Sequence, residues 1–245
     1  MATHSVEPVR RAVVLAAGVG SRIHPFSNGL PKPLVPLNGR ALVSYVIEAL
    51  AANGIEEAVV VTGYREWLVR EALGEGVGID VRFVSNPRFE EGASTSLAAA
   101  RRATGDQPFL LLMSDHVFAP GLVARLLELA APGGATVGAD FGEHAGHYED
   151  EATKLEVDES GTVRAIGKDL ARWQALDTGA FVCSADVWQT VGEAEAGGEL
   201  SAVFGAMAAR QALIAADVSG HFWYDVDTPD DLAAASAALS NARVP

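Results

Sequence analysis

Ala12-Val13-Val14-Leu15-Ala16-Ala17-Gly18-Val19-Gly20-Ser21-Arg22 is an unbroken apolar run that gives way to small residues and then to a guanidinium. An apolar run of this length bounded by glycine predicts a strand over 12–17 that is buried on both faces, the signature of a parallel sheet. Working outward, further short β-branched or apolar runs at 57–63, 80–85 and 108–114 alternate with segments at 41–52, 65–73 and 94–104 that repeat apolar residues every three or four positions. Strands alternating with crossover helices predict an α/β fold with a doubly wound, mostly parallel, Rossmann-like sheet. Ligands of such sheets sit beyond the carboxyl ends of the strands, so the segments after Ala17, Val61, Ser85 and Met113 should line one crevice.

The second half changes character. Lys154–Val157 and Val163–Ile166 flank the turn-rich Asp158-Glu159-Ser160-Gly161, which predicts an antiparallel hairpin inserted in the sheet as a lid or acceptor-site wall. Helical patterns at 185–195 and 200–211 follow, then a strand near 221–226. Thr228-Pro229-Asp230-Asp231 opens a last helix, with Thr as N-cap, Pro at its first position and acids in its first turn. Residues 1–11 read as a tail and 12–245 as a single domain. The closing 241–245 leaves a further domain beyond it open.

A net charge of -14, from 18 Lys+Arg against 32 Asp+Glu, speaks against a nucleic-acid or anionic-membrane partner and for small molecules. The lone Cys183, inside an apolar run, reads as a buried structural thiol and makes the cytoplasm the expected compartment. No apolar run is long enough to span a membrane.

The chemistry gathers at the strand ends. After Leu15, Ala16 and Ala17, the small residues Gly18, Gly20 and Ser21 let backbone N–H groups approach a phosphate chain. Arg22 offers a fork to terminal phosphates, and Lys32, between Pro31 and Pro33, a compact charge. The competing reading is a dinucleotide-binding turn, but Ile23 stands where its third glycine would be and a long polar loop replaces the immediate helix. The strand at 108–114 delivers Ser114-Asp115-His116. A carboxylate there, beside a triphosphate, suits Mg²⁺, although Asp115 could instead cap the following helix. His116 could touch an acceptor or simply pack. Asp225 and Asp227, two apart on an expected strand, share a face and could complete the metal site; Asp227 could equally brace the last helix. Of three lysines against 15 arginines, Lys154 opens the hairpin and Lys168 follows it. Asp177-Thr178-Gly179 reads as a polar turn before an apolar strand, available to an acceptor hydroxyl.

Taken together, Leu15–Arg22, Pro31–Pro33, Ser114-Asp115 and Trp223–Pro229 resemble the sugar-nucleotidyltransferase superfamily over nearly the whole chain. Ser114–His116, Ile166–Lys168, Asp177–Gly179 and the Asp-Val-Asp-Thr-Pro ending look most like inositol-1-phosphate cytidylyltransferases and related phosphonate and phosphocholine cytidylyltransferases. The resemblance implies CTP, with Thr62, Gly63, Asn86, Ser94 and Ser96 bordering base and ribose. It implies an acceptor facing Lys154, Lys168 and Asp177 to Gly179. One departure matters: Gly92-Ala93-Ser94-Thr95-Ser96-Leu97 replaces an asparagine-containing loop of several relatives, so acceptor contacts there do not carry over. Its arginine-rich, lysine-poor composition, and the lack of the membrane-embedded synthase domain that often accompanies inositol enzymes, tilt the expectation toward a phosphonate such as 2-hydroxyethylphosphonate.

The reaction expected is in-line attack of an acceptor phosphate or phosphonate oxygen on the α-phosphorus of CTP, expelling pyrophosphate. Asp115 and Asp225 would hold Mg²⁺, Arg22 and Lys32 would neutralise the triphosphate, and Lys168 would steer the acceptor. Two alternatives stand beside it: a uridylyl- or thymidylyltransferase acting on a sugar 1-phosphate, and a catalytically silent nucleotide-sensing domain. A homodimer and a fusion to a second domain both remain open.

Overall fold

The computed structural model describes residues 8–23, 26–74, 78–142, 151–193 and 198–241. The opening run forms β1 (Arg11–Ala16), paired in parallel with β4 (Glu57–Thr62) on one side and with β6 (Phe109–Met113) on the other. β5 (Asp80–Ser85) continues in parallel beyond β4. The chain therefore builds outward from β1 through β4 to β5, then returns to place β6 on the opposite flank. That reversal is a topological switch point, and it opens a crevice between the carboxyl ends of β1 and β6.

Successive side chains of β1 serve opposite faces. Ala12, Val14 and Ala16 pack with Val43, Val46 and Ile47 of α1 (Leu42–Ala52), Val69 and Leu73 of α2 (Glu66–Leu73), and Leu122, Val123 and Leu126 of α4 (Pro120–Leu129). Val13, Leu15 and Ala17 pack with Leu97 and Ala100 of α3 (Ala93–Thr104), Val187 and Trp188 of α5 (Val187–Glu193), and Phe204 and Met207 of α6 (Leu200–Ala209). Each fully buried Val or Leu of this layer contributes about 1.5–3 kcal/mol, which is why β1 carries no polar residue between Arg11 at its start and the crevice at its end.

Beyond β6 the sheet turns antiparallel. β11 (Ala175–Cys183) runs against β6 and also contacts β9 (Lys154–Val157) and β8 (Ala135–Asp140). β9 pairs with β10 (Val163–Gly167) as the expected hairpin, and β12 (Leu213–Asp217) lies parallel to β8. The hairpin turn is held by the Asp158 carboxylate, which accepts from Ser160 and Thr162 N–H, with Gly161 at φ 81°. β2 and β3 (Pro36–Leu37, Arg40–Ala41) form a small arm; β7 (His116–Phe118) pairs antiparallel with β13 (Trp223–Asp225). A third apolar cluster of Ile23, Val35, Leu37, Val117, Val226 and Ala235 fastens the phosphate-side loop to this ribbon and to α7 (Pro229–Asn241).

Three expectations are corrected. The sequence reading assigned nothing to 135–140 or 213–217, yet both are strands. Two alanines in each, and a glycine in the first, carry little β preference, and in the first the glycine is required by packing: a Cβ on Gly138 would come within 2.6 Å of the Thr178 hydroxyl. Asp177-Thr178-Gly179 is not a turn before a strand but lies inside β11, where the register against β8 shifts and Gly179 takes φ 74°. The strand carrying the C-terminal carboxylates ends at Asp225, so Asp227 follows it rather than alternating within it. Among the described residues, no helix is long and apolar enough to cross a membrane.

Candidate active site

The crevice has two connected lobes, of about 280 and 610 Å³, which share Arg22, Ala93, Met113, Asp115 and Asp227. The smaller is lined by Leu15, Ala17, Gly18, Gly20, Ser21, Lys32, Ser96 and Ser114. The larger extends past His116, Lys168, Asp177, Gly179, Trp223 and Asp225. The boundary between the lobes carries the charge.

Lys32 lies on a 3-10 turn between two prolines, and its aliphatic stem runs against Gly20. A Cβ on Gly20, whose φ is 67°, would sit 2.6 Å from the Lys32 Cβ. The glycine therefore brings the loop down onto the lysine as well as leaving room above. The Lys32 ammonium donates to Asp115 Oδ2 at 2.6 Å and to Asp227 Oδ1, and stands 3.9 Å from Asp225 Oδ1. Burial opposes its charge, but the three carboxylates raise its affinity for the proton above the ordinary lysine value. Arg22 extends the network, pairing with Asp227 and, at 2.7 Å, with Glu151 across the cleft.

The β7–β13 pairing sets Asp225 directly opposite His116. His116 Nδ1 is 3.0 Å from Asp115 Oδ1 and 3.6 Å from Asp225 Oδ1. Burial works against the imidazolium, but the Asp225 and Asp115 carboxylates outweigh it and lift His116 to about 9. Burial likewise pushes Asp115 up, and Lys32 with His116 overcomes it, holding that carboxyl well below the usual range. Asp225 is pushed up to about 6, by burial first, with the neighbouring Asp115 charge adding to it. Two close carboxylates thus receive opposite treatment, because Lys32 and the hydrogen bond from His116 both go to Asp115.

Ligand atoms of Asp115, His116 and Asp225 all lie within 4.8 Å of one another. The two carboxylates are hard oxygen donors suited to Mg²⁺, which is commonly bound by one or two carboxylates plus substrate phosphates. His116 Nδ1 faces both carboxylates as a hydrogen-bond donor and fits their positioning better than metal ligation. Asp227 stands outside this trio, engaged by Lys32 and Arg22 while its N–H donates to Asp231. Asp231 also exchanges bonds with Thr228, so the final helix starts in a capping box as its sequence indicates.

Several of the expected contact residues have internal partners. Ala16 faces the core. Thr62 is buried and donates to Glu66 Oε2, and Gly63 lies under Phe89. Asn86 donates to Thr95 and Ser96 and so ties down the start of α3, while Ser94 accepts from Gly198 N–H. Thr178 donates to Gly138 O, and Lys154 to the backbone carbonyl of Lys168. Of the acceptor-side candidates, His116, Lys168, Asp177 and Gly179 line the cavity. The sequence reading missed Glu151 and Asp140; Asp140 Oδ2 accepts from Trp223 Nε1 at 2.8 Å and fixes that indole at the cavity wall. A carboxylate closing a run of small residues was the available signal for Asp140. Glu151 had none.

The chain is 38% identical over 232 residues to a bifunctional IPC transferase and DIPP synthase of Rubrobacter xylanophilus, covering 90% of this chain and 50% of that protein. It is 32% identical over 260 residues to the CMP-5'-(3-aminopropyl)phosphonate synthase of Streptomyces rubellomurinus, covering 99% of this chain and 40% of that protein. The chain spans about half the length, or less, of these curated relatives. Its fold matches the inositol-1-phosphate CTP transferase from T. maritima with a TM-score of 0.82 at 23% identity, over 96% of this chain and 98% of that one. Residues 12–149, more than half of the 245, match the MobA-like NTP transferase domain, and the chain belongs to that family.

Proposed function

We propose that this chain is a CTP-dependent cytidylyltransferase that moves CMP onto a small phosphonate or phosphate-monoester acceptor and releases pyrophosphate. The observation that carries the reading is the boundary of the two lobes, where Lys32, Asp115, Asp225 and Asp227 converge between a glycine-lined pocket and a larger one. A triphosphate in the smaller lobe and an acceptor in the larger would meet there.

The acceptor oxygen forms a bond to the α-phosphorus as the bond from that phosphorus to the β-phosphate bridging oxygen breaks, and pyrophosphate departs with the electron pair. The attacking oxygen is anionic near neutral pH, so no general base is needed and the rate depends on positioning and charge neutralisation. Backbone N–H groups around Gly18, Gly20 and Ser21 cradle the phosphates, and Arg22 and Lys32 neutralise them once released from Asp227 and Asp115. Lys168 holds the acceptor anion in the larger lobe. Asp115 and Asp225 would hold Mg²⁺, which supplies positive charge at the α-phosphate when bound. His116 orients both carboxylates.

The choice of CTP is supported by the cytidylyl chemistry in the names of the relatives. The test is pyrophosphate release from CTP, UTP, dTTP and GTP across phosphonates, inositol 1-phosphate, phosphocholine and sugar 1-phosphates. A preference for UTP or dTTP with a sugar 1-phosphate would replace this reading with the uridylyl- or thymidylyltransferase alternative.

A further inference from the structure

We infer that the Ser96 hydroxyl selects the base: it is a hydrogen-bond donor of set polarity that matches the N3 and O2 acceptors of cytosine and opposes the N3–H of uracil. This rests on the cytidylyl transfer proposed above and gives the preference for CTP a cause in the chain's own residues. The smaller lobe has a charged part, where Arg22, Lys32, Asp115 and Asp227 meet, and an uncharged part lined by Leu15, Ala17, Phe89, Ala93 and Met113, which suits a nucleoside. Ser96, in the first turn of α3, borders the same lobe and is 4% exposed.

The polarity of Ser96 is set from behind, by Asn86, a buried residue directly after β5. Asn86 Oδ1 accepts from the Arg88 N–H at 2.9 Å, which settles the orientation of the amide, because a flipped group would set two donors against each other. Its Nδ2 group therefore faces α3 and donates to Thr95 Oγ1 and Ser96 Oγ, each at 3.0 Å. Both hydroxyls accept a proton and have their own to give. Thr95 gives its proton to the carbonyls of Arg88 and Gly92. Thr104, further along α3, gives its own to Ala100 O, one turn back. Ser96 makes no such bond among the described residues, so its proton is left for the occupant of the lobe. A base that donated to Ser96 would use the remaining lone pair and strand a buried O–H without an acceptor, a loss of about tenfold or more in affinity. Cytosine offers adjacent acceptors at N3 and O2, whereas uracil turns a donor toward the same edge. Ser114, whose hydroxyl also borders the lobe, has no partner that sets its polarity among the described residues and can serve either base.

The test changes the polarity of this position with little change in its size. Dissociation constants for CTP and UTP in the presence of Mg²⁺, measured calorimetrically without acceptor, are compared for the full chain, Ser96→Ala and Asn86→Asp, alongside kcat/KM from pyrophosphate release. The parent should favour CTP by about tenfold or more, and Ser96→Ala should remove most of that preference, mainly by losing affinity for CTP. Asn86→Asp keeps an acceptor for the Arg88 N–H and turns the group facing Ser96 from donor to acceptor. Ser96 then gives its proton to that carboxylate and offers a lone pair to the lobe, so the preference should move toward UTP. The triphosphate of pyrimidin-2-one riboside keeps the N3 acceptor and lacks the 4-amino group of cytosine; the parent should bind it like CTP. An unchanged CTP-to-UTP ratio in Ser96→Ala, or a pyrimidin-2-one triphosphate bound no better than UTP, overturns the role of Ser96 and leaves cytidylyl transfer in place. Loss of a single hydroxyl keeps the test open if Asn86→Asp does not fold. A parent that turns over UTP in preference to CTP, or releases no pyrophosphate from CTP with any acceptor, overturns the cytidylyl reading itself.

Discussion

The Lys32 ammonium sits 2.6 Å from Asp115 Oδ2, in the middle of the carboxylates that also form the candidate cation site. With 6% of its surface exposed, Lys32 is an internal counter-ion for Asp115, Asp225 and Asp227. In the reaction proposed, the same ammonium must turn to a triphosphate, and a divalent cation can take over the carboxylates.

Replacing Lys32 by Met therefore leaves three close carboxylates without their central cation. Removing one partner of a buried charge network typically costs several kcal/mol, and about 3 kcal/mol is expected here in the presence of chelator. Mg²⁺ should recover part of that loss, stabilising Lys32→Met more than the parent protein. Denaturant melts with and without Mg²⁺ read this without any turnover. An equal Mg²⁺ effect on both proteins would separate Lys32 from the cation site.

Asp115→Asn and Asp225→Asn are isosteric and should keep the fold, seen as unchanged far-ultraviolet circular dichroism. Each should lower kcat by about 10²–10⁴, the scale on which loss of a charge-positioning group is felt in phosphoryl-type chemistry. Asp227→Asn should be milder in kcat and stronger in the KM for nucleotide, because Asp227 holds Lys32 and Arg22 rather than the reacting centre.

His116 gives a pH signature. Its affinity for the proton rises from the ordinary 6.5 to about 9 on folding, so the folded protein binds that proton more tightly than the unfolded chain. The stabilisation is fully present below pH 6.5 and is lost as pH climbs through about 9. Metal-free protein should lose about 2 kcal/mol across that window, and His116→Gln should flatten the profile there. A parent profile no steeper than that of the variant would remove His116 from the network.

Asp177 gives the opposite trade. Burial lifts its carboxyl from 3.8 to about 6, so its favourable contribution is complete below pH 3.8 and gone once pH passes 6. At neutral pH the charged side chain is a cost. Asp177→Asn should raise stability there by about 1–2 kcal/mol, since an amide can still accept from Gly179 N–H. A variant less stable than the parent at pH 7 would count against burial as the dominant influence on Asp177.

What could be read from the sequence follows from how each feature is encoded. β1, β4 and β6 carry continuous apolar runs because central parallel strands bury both faces, so they and the crevice beyond them were legible; the edge strand β5 was legible from its alternating Val81, Phe83 and β-branched character. The Gly18–Arg22 loop, Lys32, Asp115 and Asp225 were legible because each directly follows, or lies in, a segment of clear character. β8 and β12 were not, since two alanines in each, and in β8 the Gly138 that packs against Thr178, dilute the strand signature. The role of Asp140 was hidden for another reason: its partner Trp223 lies 83 positions away, and no local pattern reports a contact over that distance.

That long-range bond also yields a prediction. Asp140 is 7% exposed and accepts from Trp223 Nε1 at 2.8 Å, while Trp223 stacks on His116 at 6.4 Å between centroids and His116 stacks on Phe118 at 5.7 Å. Gly179 completes the packing, because a Cβ there would come within 2.6 Å of His116 Nε2. The imidazole that orients Asp115 and Asp225 is thus held by an indole that is itself anchored from β8. Asp140→Leu should cost about 1–3 kcal/mol through the unsatisfied indole N–H, and the freed ring should loosen His116 as well. The discriminating readout is a comparison with Trp223→Phe, which removes the need for the bond. If Asp140 acts only through Trp223, the two substitutions combined should lower kcat and flatten the stability profile between pH 6.5 and 9 no further than Asp140→Leu alone. Fully additive effects would show that Asp140 supports the site by a separate route.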